Sequence, residues 1–241
     1  MSKIMSKNTL TVSLLAVLMA APVFAGSINK SIRISAGATA DGATSVNGSV
    51  TVGEGAIVTG DVSTVNGTIR IYDDARVQDV STVNGALRVS SGVRAENLST
   101  VNGSIRVDEN VIVDGWIEAV NGSIGVRKGS KVAKSVSNVN GEIELVASEV
   151  RGDLSTVNGD IELSEGAILH GDIIVEKPGG WKFGFRKSRA PIIVIGPDSR
   201  VLGNIRLERE VKLYISDTAE VGGVEGAMSM NDAIRFSGTR P

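Results

Sequence analysis

Ser63-Thr64-Val65-Asn66-Gly67 stands again without change at residues 81–85, 99–103 and 155–159, and its Val-Asn-Gly core recurs at 46–48, 120–122 and 139–141. The numbers of the seven asparagines, Asn47, Asn66, Asn84, Asn102, Asn121, Asn140 and Asn158, rise in steps of 19, 18, 18, 19, 19 and 18. A period so steady means stacked structural turns rather than one globular core. The third and fifth residues after each Asn are aliphatic: Val50/Val52, Ile69/Ile71, Leu87/Val89, Ile105/Val107, Ile124/Val126, Ile143/Leu145 and Ile161/Leu163. With a variable residue between them, that alternation is a short strand with one face in and one out. The repeat is too short for a strand–helix–strand unit and too regular for a hairpin meander. It reads as one coil of an all-β, single-stranded parallel β-helix.

Each coil divides into three short sides: the strand after Asn-Gly, a second strand after a polar corner such as Tyr72-Asp73-Asp74, and a third leading back through Ser-Thr-Val. The second side carries Ala56/Val58, Ala75/Val77 and Ala167/Leu169, again alternating. The difference between the longer and the shorter period is expected at one corner, because three residues separate Val58 from Val62 and only two separate Val77 from Val80. A residue added at a corner leaves the strand registers intact. Ile28-Asn29-Lys30 with Ile32-Arg33-Ile34, one period before the first Val-Asn-Gly, reads as a degenerate opening coil. Strand patterns return at 192–195 and 211–215 after an interruption at 177–191. About ten coils are expected over residues 26–226, a rod of roughly 48 Å at the spacing of parallel strands, with a tail at 227–241.

Asparagine and glycine both tolerate positive φ, which the corner is expected to require. An asparagine stacked on its own copy can also pass side-chain amide hydrogen bonds along the stack. Seven aligned asparagines could line a ligand-binding row, but the glycine that accompanies every one favours a structural ladder.

Only 3% of residues are aromatic against 41% hydrophobic, which suits a narrow core of Val, Ile, Leu and Ala. The formal charge of −2 argues against nucleic acid as a general partner. Residues 1–25 read as a signal peptide: Lys3 and Lys7 precede an uncharged stretch at 14–21, and Val23-Phe24-Ala25 sets small residues where a leader peptidase cuts. The apolar run is shorter than the roughly 20 residues of a membrane-spanning helix. The mature chain is therefore expected to be periplasmic or secreted. Having no cysteine, it relies on aliphatic stacking rather than disulfides.

Gly-[Thr/Ser]-Ile-Arg-Val alternating with Gly-Ala-x-Val-x-Gly-Asp-Val occurs at 67–71, 55–62 and 166–173, and again in Ser199-Arg200-Val201-Leu202-Gly203-Asn204-Ile205. Over most of residues 28–224 this resembles the bactofilins, polymer-forming cytoskeletal proteins of bacteria. The resemblance implies a right-handed, three-sided parallel β-helix whose copies join end to end into non-polar, nucleotide-free filaments. Members are commonly cytoplasmic or attached to the inner membrane face, so this chain reads as an exported variant. A second pattern competes: Val46, Val52 and Val58 lie six apart, with Val50, Ala56 and Val62 four after each, which also satisfies the hexapeptide template of left-handed β-helices. Many acyltransferases have that fold, with a histidine beside a protruding loop. Here His170 precedes the interruption, but it occupies the outward position of Thr59 and has no positioned partner in the sequence. No catalytic residue is assigned.

Asp73-Asp74 and Asp108-Glu109-Asn110 fall at equivalent corners and would suit calcium. Ser90-Ser91 and Arg127-Lys128 stand there in other coils, so no metal row and no cofactor are expected. Two features exceed a scaffold. The outward residue between the aliphatic pair runs Arg33, Thr51, Arg70, Arg88, Arg106, Gly125, Glu144 and Glu162, so one face turns from basic to acidic along the rod. It is either a solvated face, an anionic-partner face through Arg70, Arg88 and Arg106, or an axial asymmetry that brings rods together antiparallel. The second feature is the interruption, where Trp181, Lys182, Phe183, Phe185, Arg186 and Lys187 combine ring and charge. That combination suits a membrane surface or an anionic envelope glycan, or folds back over the rod.

An uncapped solenoid end exposes unpaired strand and apolar interior. Ile28, Ile32 and Ile34 of the opening coil are therefore expected to form an assembly end, whereas Met228, Met230, Ile234 and Phe236 of the tail are placed to cap the other. The expected function is a non-catalytic structural or assembly protein of the cell envelope, self-associating end to end and without a small-molecule substrate. The alternatives are a secreted adhesin or anionic-glycan-binding rod and a hexapeptide-type acyltransferase.

Overall fold

An aliphatic, a variable and a second aliphatic residue make a strand whose ends point into the coil and whose middle points out. Ile69–Ile71, Leu87–Val89 and Ile105–Val107 each bury both aliphatic residues. Every such strand pairs in parallel with its copy one coil on, Ile69 with Leu87, Leu87 with Ile105, and Ile105 with Ile124. The computed structural model describes residues 28–178 and 189–241, in which this first side is an eleven-stranded sheet running from Ile32–Ile34 to Ile234–Phe236. The signal peptide read at 1–25 lies outside the described residues.

Two-residue strands such as Ile57–Val58, Arg94–Ala95 and Ile112–Val113 form the second side, with one residue out and one in. Five-residue strands form the third: Val62–Asn66, Val80–Asn84, Leu98–Asn102, Ile117–Asn121 and Val136–Asn140. Near the C-terminal end the corner between these two sides straightens. Arg200–Leu207 is a single strand there, pairing first with Ile168–Leu169 and then with Ile173–Val175. The chain is thus the expected all-β parallel β-solenoid, three sides to a coil. In one core column Ile69, Leu87, Ile105, Ile124, Ile143 and Ile161 are each at most 1% exposed, and full burial of one such side chain contributes about 1.5–3 kcal/mol.

The two principal corners obey different rules. Between the first and second sides, Gly55, Asp74, Gly92, Asn110, Gly129 and Asp198 have φ of 62°, 57°, 71°, 57°, 74° and 59°. This left-handed conformation admits Gly, Asn and Asp most readily, which is why the corner varies in sequence without varying in shape. At the Asn-Gly corner the expectation of positive φ is corrected: none of the seven asparagines has it, and among their glycines only Gly141 does. Glycine stands there because the next coil passes too close. A Cβ on Gly67, Gly85, Gly103, Gly122 or Gly159 would overlap the carbonyl oxygen of the corner glycine one coil earlier.

The expected origin of the two periods holds for two of the shorter coils, where two residues separate Val77 from Val80 and Ala95 from Leu98, and is corrected for the third. The coil from Asn140 to Asn158 has the shorter period, although Val150 and Leu154 are separated by the full three residues Arg151-Gly152-Asp153. The missing residue is at the other corner, where Ala147, with φ of 44°, turns the chain one position early. Registers on both sides of it are kept, Ile143 opposite Ile161 and Val150 opposite Leu169.

The C-terminal stretch does more than fold over the last coil. Met228 and Met230 pack against the core, a short turn follows at Met230–Asp232, and Ile234–Phe236 adds a further rung beside Lys212–Ser216. Asp232 closes that turn by accepting hydrogen bonds from the Ser229 backbone N–H and Oγ, both at 2.8 Å. In the last rung Arg235 takes the register position of the inward Ile215 and donates to the Ser216 carbonyl at 3.4 Å. A charge at an inward position ends the apolar stack.

Gly103→Ala should cost more than about 3 kcal/mol, because the coils must separate to admit the Cβ. Gly55→Asn, at an open left-handed corner, should stay within about 1 kcal/mol. Urea unfolding followed by circular dichroism measures both, and equal effects would contradict the assignment of the two corners.

Candidate interaction surfaces

The asparagine ladder is formed as expected and runs further than the repeat. Each Nδ2 donates to the Oδ1 one coil earlier: Asn66 to Asn47 and Asn47 to Asn29 at 2.8 Å, Asn84 to Asn66 and Asn102 to Asn84 at 2.9 Å. Asn121, Asn140 and Asn158 continue it at 3.0 Å. The chain of donors leaves an acceptor at its C-terminal end, and there Arg209, 51 residues on, donates to Asn158 Oδ1 at 3.1 Å. Behind the ladder runs a buried column that reading the repeat did not anticipate. The hydroxyls of Thr64, Thr82 and Thr100 donate to the carbonyls of Gly48, Gly67 and Gly85 at 2.8, 3.1 and 3.2 Å, and Asn138 Nδ2 donates to Gly122 at 2.7 Å. Its sequence signal was the invariance of the Thr in Ser-Thr-Val-Asn-Gly, which a merely inward position does not require.

The charged face is in register residue by residue. Arg33, Thr51, Arg70, Arg88, Arg106, Gly125, Glu144 and Glu162 oppose one another in turn, and Val194, Tyr214 and Ile234 extend the column. Among the described residues Arg70, Arg88 and Arg106 have no ion pair. The acidic end differs. Arg127 pairs with Glu144 at 3.0 Å, Arg189 with Asp160 at 2.6 Å and Arg240 with Glu162 at 3.3 Å. Burial, and then the carboxylates of Glu144, Glu162 and Asp160, push the Glu142 carboxyl up.

His170 is exposed, as expected from its outward position, and its Nε2 lies 3.1 Å from Glu149 Oε1. Lys131 and Arg151 approach the same carboxylate at 3.7 and 3.6 Å. Asp74 and Asn110, considered above as calcium ligands, are the left-handed residues of their corners. Among the described residues no group of three or more metal-ligating side chains converges. Trp181, Lys182, Phe183, Phe185, Arg186 and Lys187 lie outside the described residues. The flanks of that interruption are tied to the rod, with the Lys177 backbone N–H donating to Glu208 at 3.0 Å and Arg209 donating to the Arg189 carbonyl at 3.4 Å.

At the other end Ile28 is 70% exposed, Ile32 is half-buried and Ile34 is buried. Ile32–Ile34 pairs with Val50–Val52 and ends its sheet, so its outer edge has no strand beside it among the described residues. The chain matches no family model, and no curated protein or solved structure matches it.

On the third side Glu118 interrupts a column of serines, opposite Ser99 on one coil and Ser137 on the next. Burial pushes its carboxyl up, so the folded state holds the proton more tightly than the unfolded chain. Stability then falls as pH rises from the ordinary carboxylate range through the folded value. Glu118→Ser should melt higher than the parent at pH about 7, and the gain should vanish near pH about 4. A gain equal at both pH values would trace the effect to packing instead.

Proposed function

We propose that the protein is a non-catalytic structural rod of the bacterial cell envelope whose copies associate end to end through the N-terminal coil. The observation that carries this reading is the inequality of the two ends. Both ends leave a strand edge without a neighbour among the described residues, but at the C-terminal end Met228 and Met230 pack on the core and Arg235 takes an inward register position, while the N-terminal end keeps Ile32 and Ile34 at its inward positions with Ile28 beside them. An open parallel edge is a template for another strand. Two such edges meeting about a two-fold axis pair antiparallel and close the assembly at a dimer, because the guanidinium of Arg235 disfavours apolar stacking at the other end. Export through the leader read at 1–25 places the rod in the periplasm or outside the cell, and the bactofilin resemblance supplies the precedent for end-to-end association. The rival reading, an anionic-glycan-binding rod, is favoured by one observation, the unpaired column of Arg70, Arg88 and Arg106. The interruption at 177–191 would add its rings and charges to either a glycan or a membrane contact.

In about 1 M salt, where pairing through exposed charges is screened, light scattering of the mature protein should give twice the mass of one chain. Ile28→Lys should weaken the association and Ile32→Lys with Ile34→Lys should abolish it, with the β-rich circular dichroism retained. Removing residues 227–241 should lengthen the assemblies by opening the second end. A single-chain mass at high concentration would overturn the end-to-end reading in favour of the glycan-binding rod.

A further inference from the structure

The outer column of the first side changes sign once, and it does so at a glycine. Gly125 is the middle residue of Ile124–Val126, a strand position where glycine is less favourable than alanine. Unlike the corner glycines, it is not required by the coil: a Cβ there would meet only Glu144 Oε2, at 3.9 Å, and its φ is not positive. A glycine inside a strand often marks a bulge, a bend or the close approach of another backbone or a ligand, and here Ile124–Val126 keeps regular register with the strands on both sides, without a bulge. Counted in rungs from Gly125, Arg106 and Glu144 stand one away on opposite sides, and Arg88 and Glu162 two away.

We propose that two copies of the rod pair side by side and antiparallel across this face, about a two-fold axis at Gly125, so that Arg106 and Arg88 of each copy meet Glu144 and Glu162 of the other. An axis along the strand direction maps every rung onto its mirror rung and every column onto itself. Gly125 then opposes Gly125, which leaves the axis clear for the long side chains on either side to cross. Farther out, Arg70, Thr51 and Arg33 face Val194, Tyr214 and Ile234, surfaces on which arginine stems can lie.

The acidic half already gathers guanidinium groups from distant parts of the chain. Arg240, its side chain 73% exposed, reaches Glu162 across 78 residues, and Arg189, 63% exposed, reaches Asp160. Arg240 therefore holds the place that Arg88 of the second copy would take. Among the described residues the arginine half has no such partner in its own chain. An anionic polymer would engage that half alone and leave Gly125 and the carboxylates without a role. One side of a coil is about 10 Å wide and eleven rungs stand about 50 Å tall, so pairing would cover about 500 Å² on each copy. That is the low end for a specific interface, and the pair should be weak, reversible and sensitive to salt.

The chain has no cysteine, so Gly125→Cys sets one thiol at the axis. Mild oxidation at low salt should give a disulfide-linked dimer. Its yield should fall about tenfold in about 1 M salt, where the Debye length shrinks to about 3 Å, and equally when Arg88→Glu and Arg106→Glu are added. Ile112→Cys, exposed on the second side, should not cross-link comparably. Without any thiol, Arg88→Glu with Arg106→Glu and Glu144→Arg with Glu162→Arg should each sediment no heavier than the parent does in about 1 M salt, yet sediment heavier when the two variants are mixed. Cross-linking of Gly125→Cys no better than Ile112→Cys, or a mixture that stays unpaired, would overturn the proposal. So would loss of dextran sulfate binding in the arginine variant while both variants keep the parent's mass. Contact through the N-terminal coils alone would hold the two Gly125→Cys thiols far apart, so this inference and the end-to-end reading fail separately.

Discussion

The distance between successive backbones at the Asn-Gly corner is the constraint on which this molecule is organised. The carbonyl of each corner glycine occupies the space that a Cβ of the next would need, so the corner admits one residue. That carbonyl points into the coil, away from solvent, and needs a donor. A threonine hydroxyl supplies it in three coils and an asparagine amide in a fourth. Outside, the same close stacking brings one asparagine within hydrogen-bond reach of the next. The Ser-Thr-Val-Asn-Gly motif is therefore three columns, each answering to the same close approach. Length varies at the other two corners, by one residue after Val58 against Val77 and by one at Ala147.

Much of this was legible because a solenoid writes its geometry once per coil. The period, the inward alternation, the ladder and the degenerate opening coil with Asn29 could all be read by aligning the chain with itself. What could not be read was the reason for a glycine. Asn-Gly suggests positive φ by analogy with tight turns, and only the neighbouring coil, a full period away in sequence, reveals the crowding that excludes a Cβ. The left-handed corner was obscured for the opposite reason. Gly55, Asp74, Asn110 and Ala147 share a conformation but not an identity, so nothing repeated.

The candidate site divides along the same line. The column from Arg33 to Glu162 was visible as a list, because register follows from the repeat. Two of the three ion pairs of its acidic end were not, since Arg189 and Arg240 come from outside the repeat, 29 and 78 residues from the carboxylates they reach. Repetition conveys what lies above and below a residue in its own column. It conveys nothing about segments that return from elsewhere.

Nearly every hydrogen bond between coils joins residues one coil apart, which shapes how such a chain acquires its structure. Each new coil closes a loop of similar length onto an edge that is already formed, so the entropic toll is the same at every step and never grows with the length completed. Growth of this kind is a zipper whose teeth are all alike, and it can follow a chain as it is threaded out of a narrow channel. A zipper needs a stop. Arg235 is suited to be one: at the register position where the next inward side chain should be aliphatic there is a guanidinium, which disfavours an apolar coil laid on it.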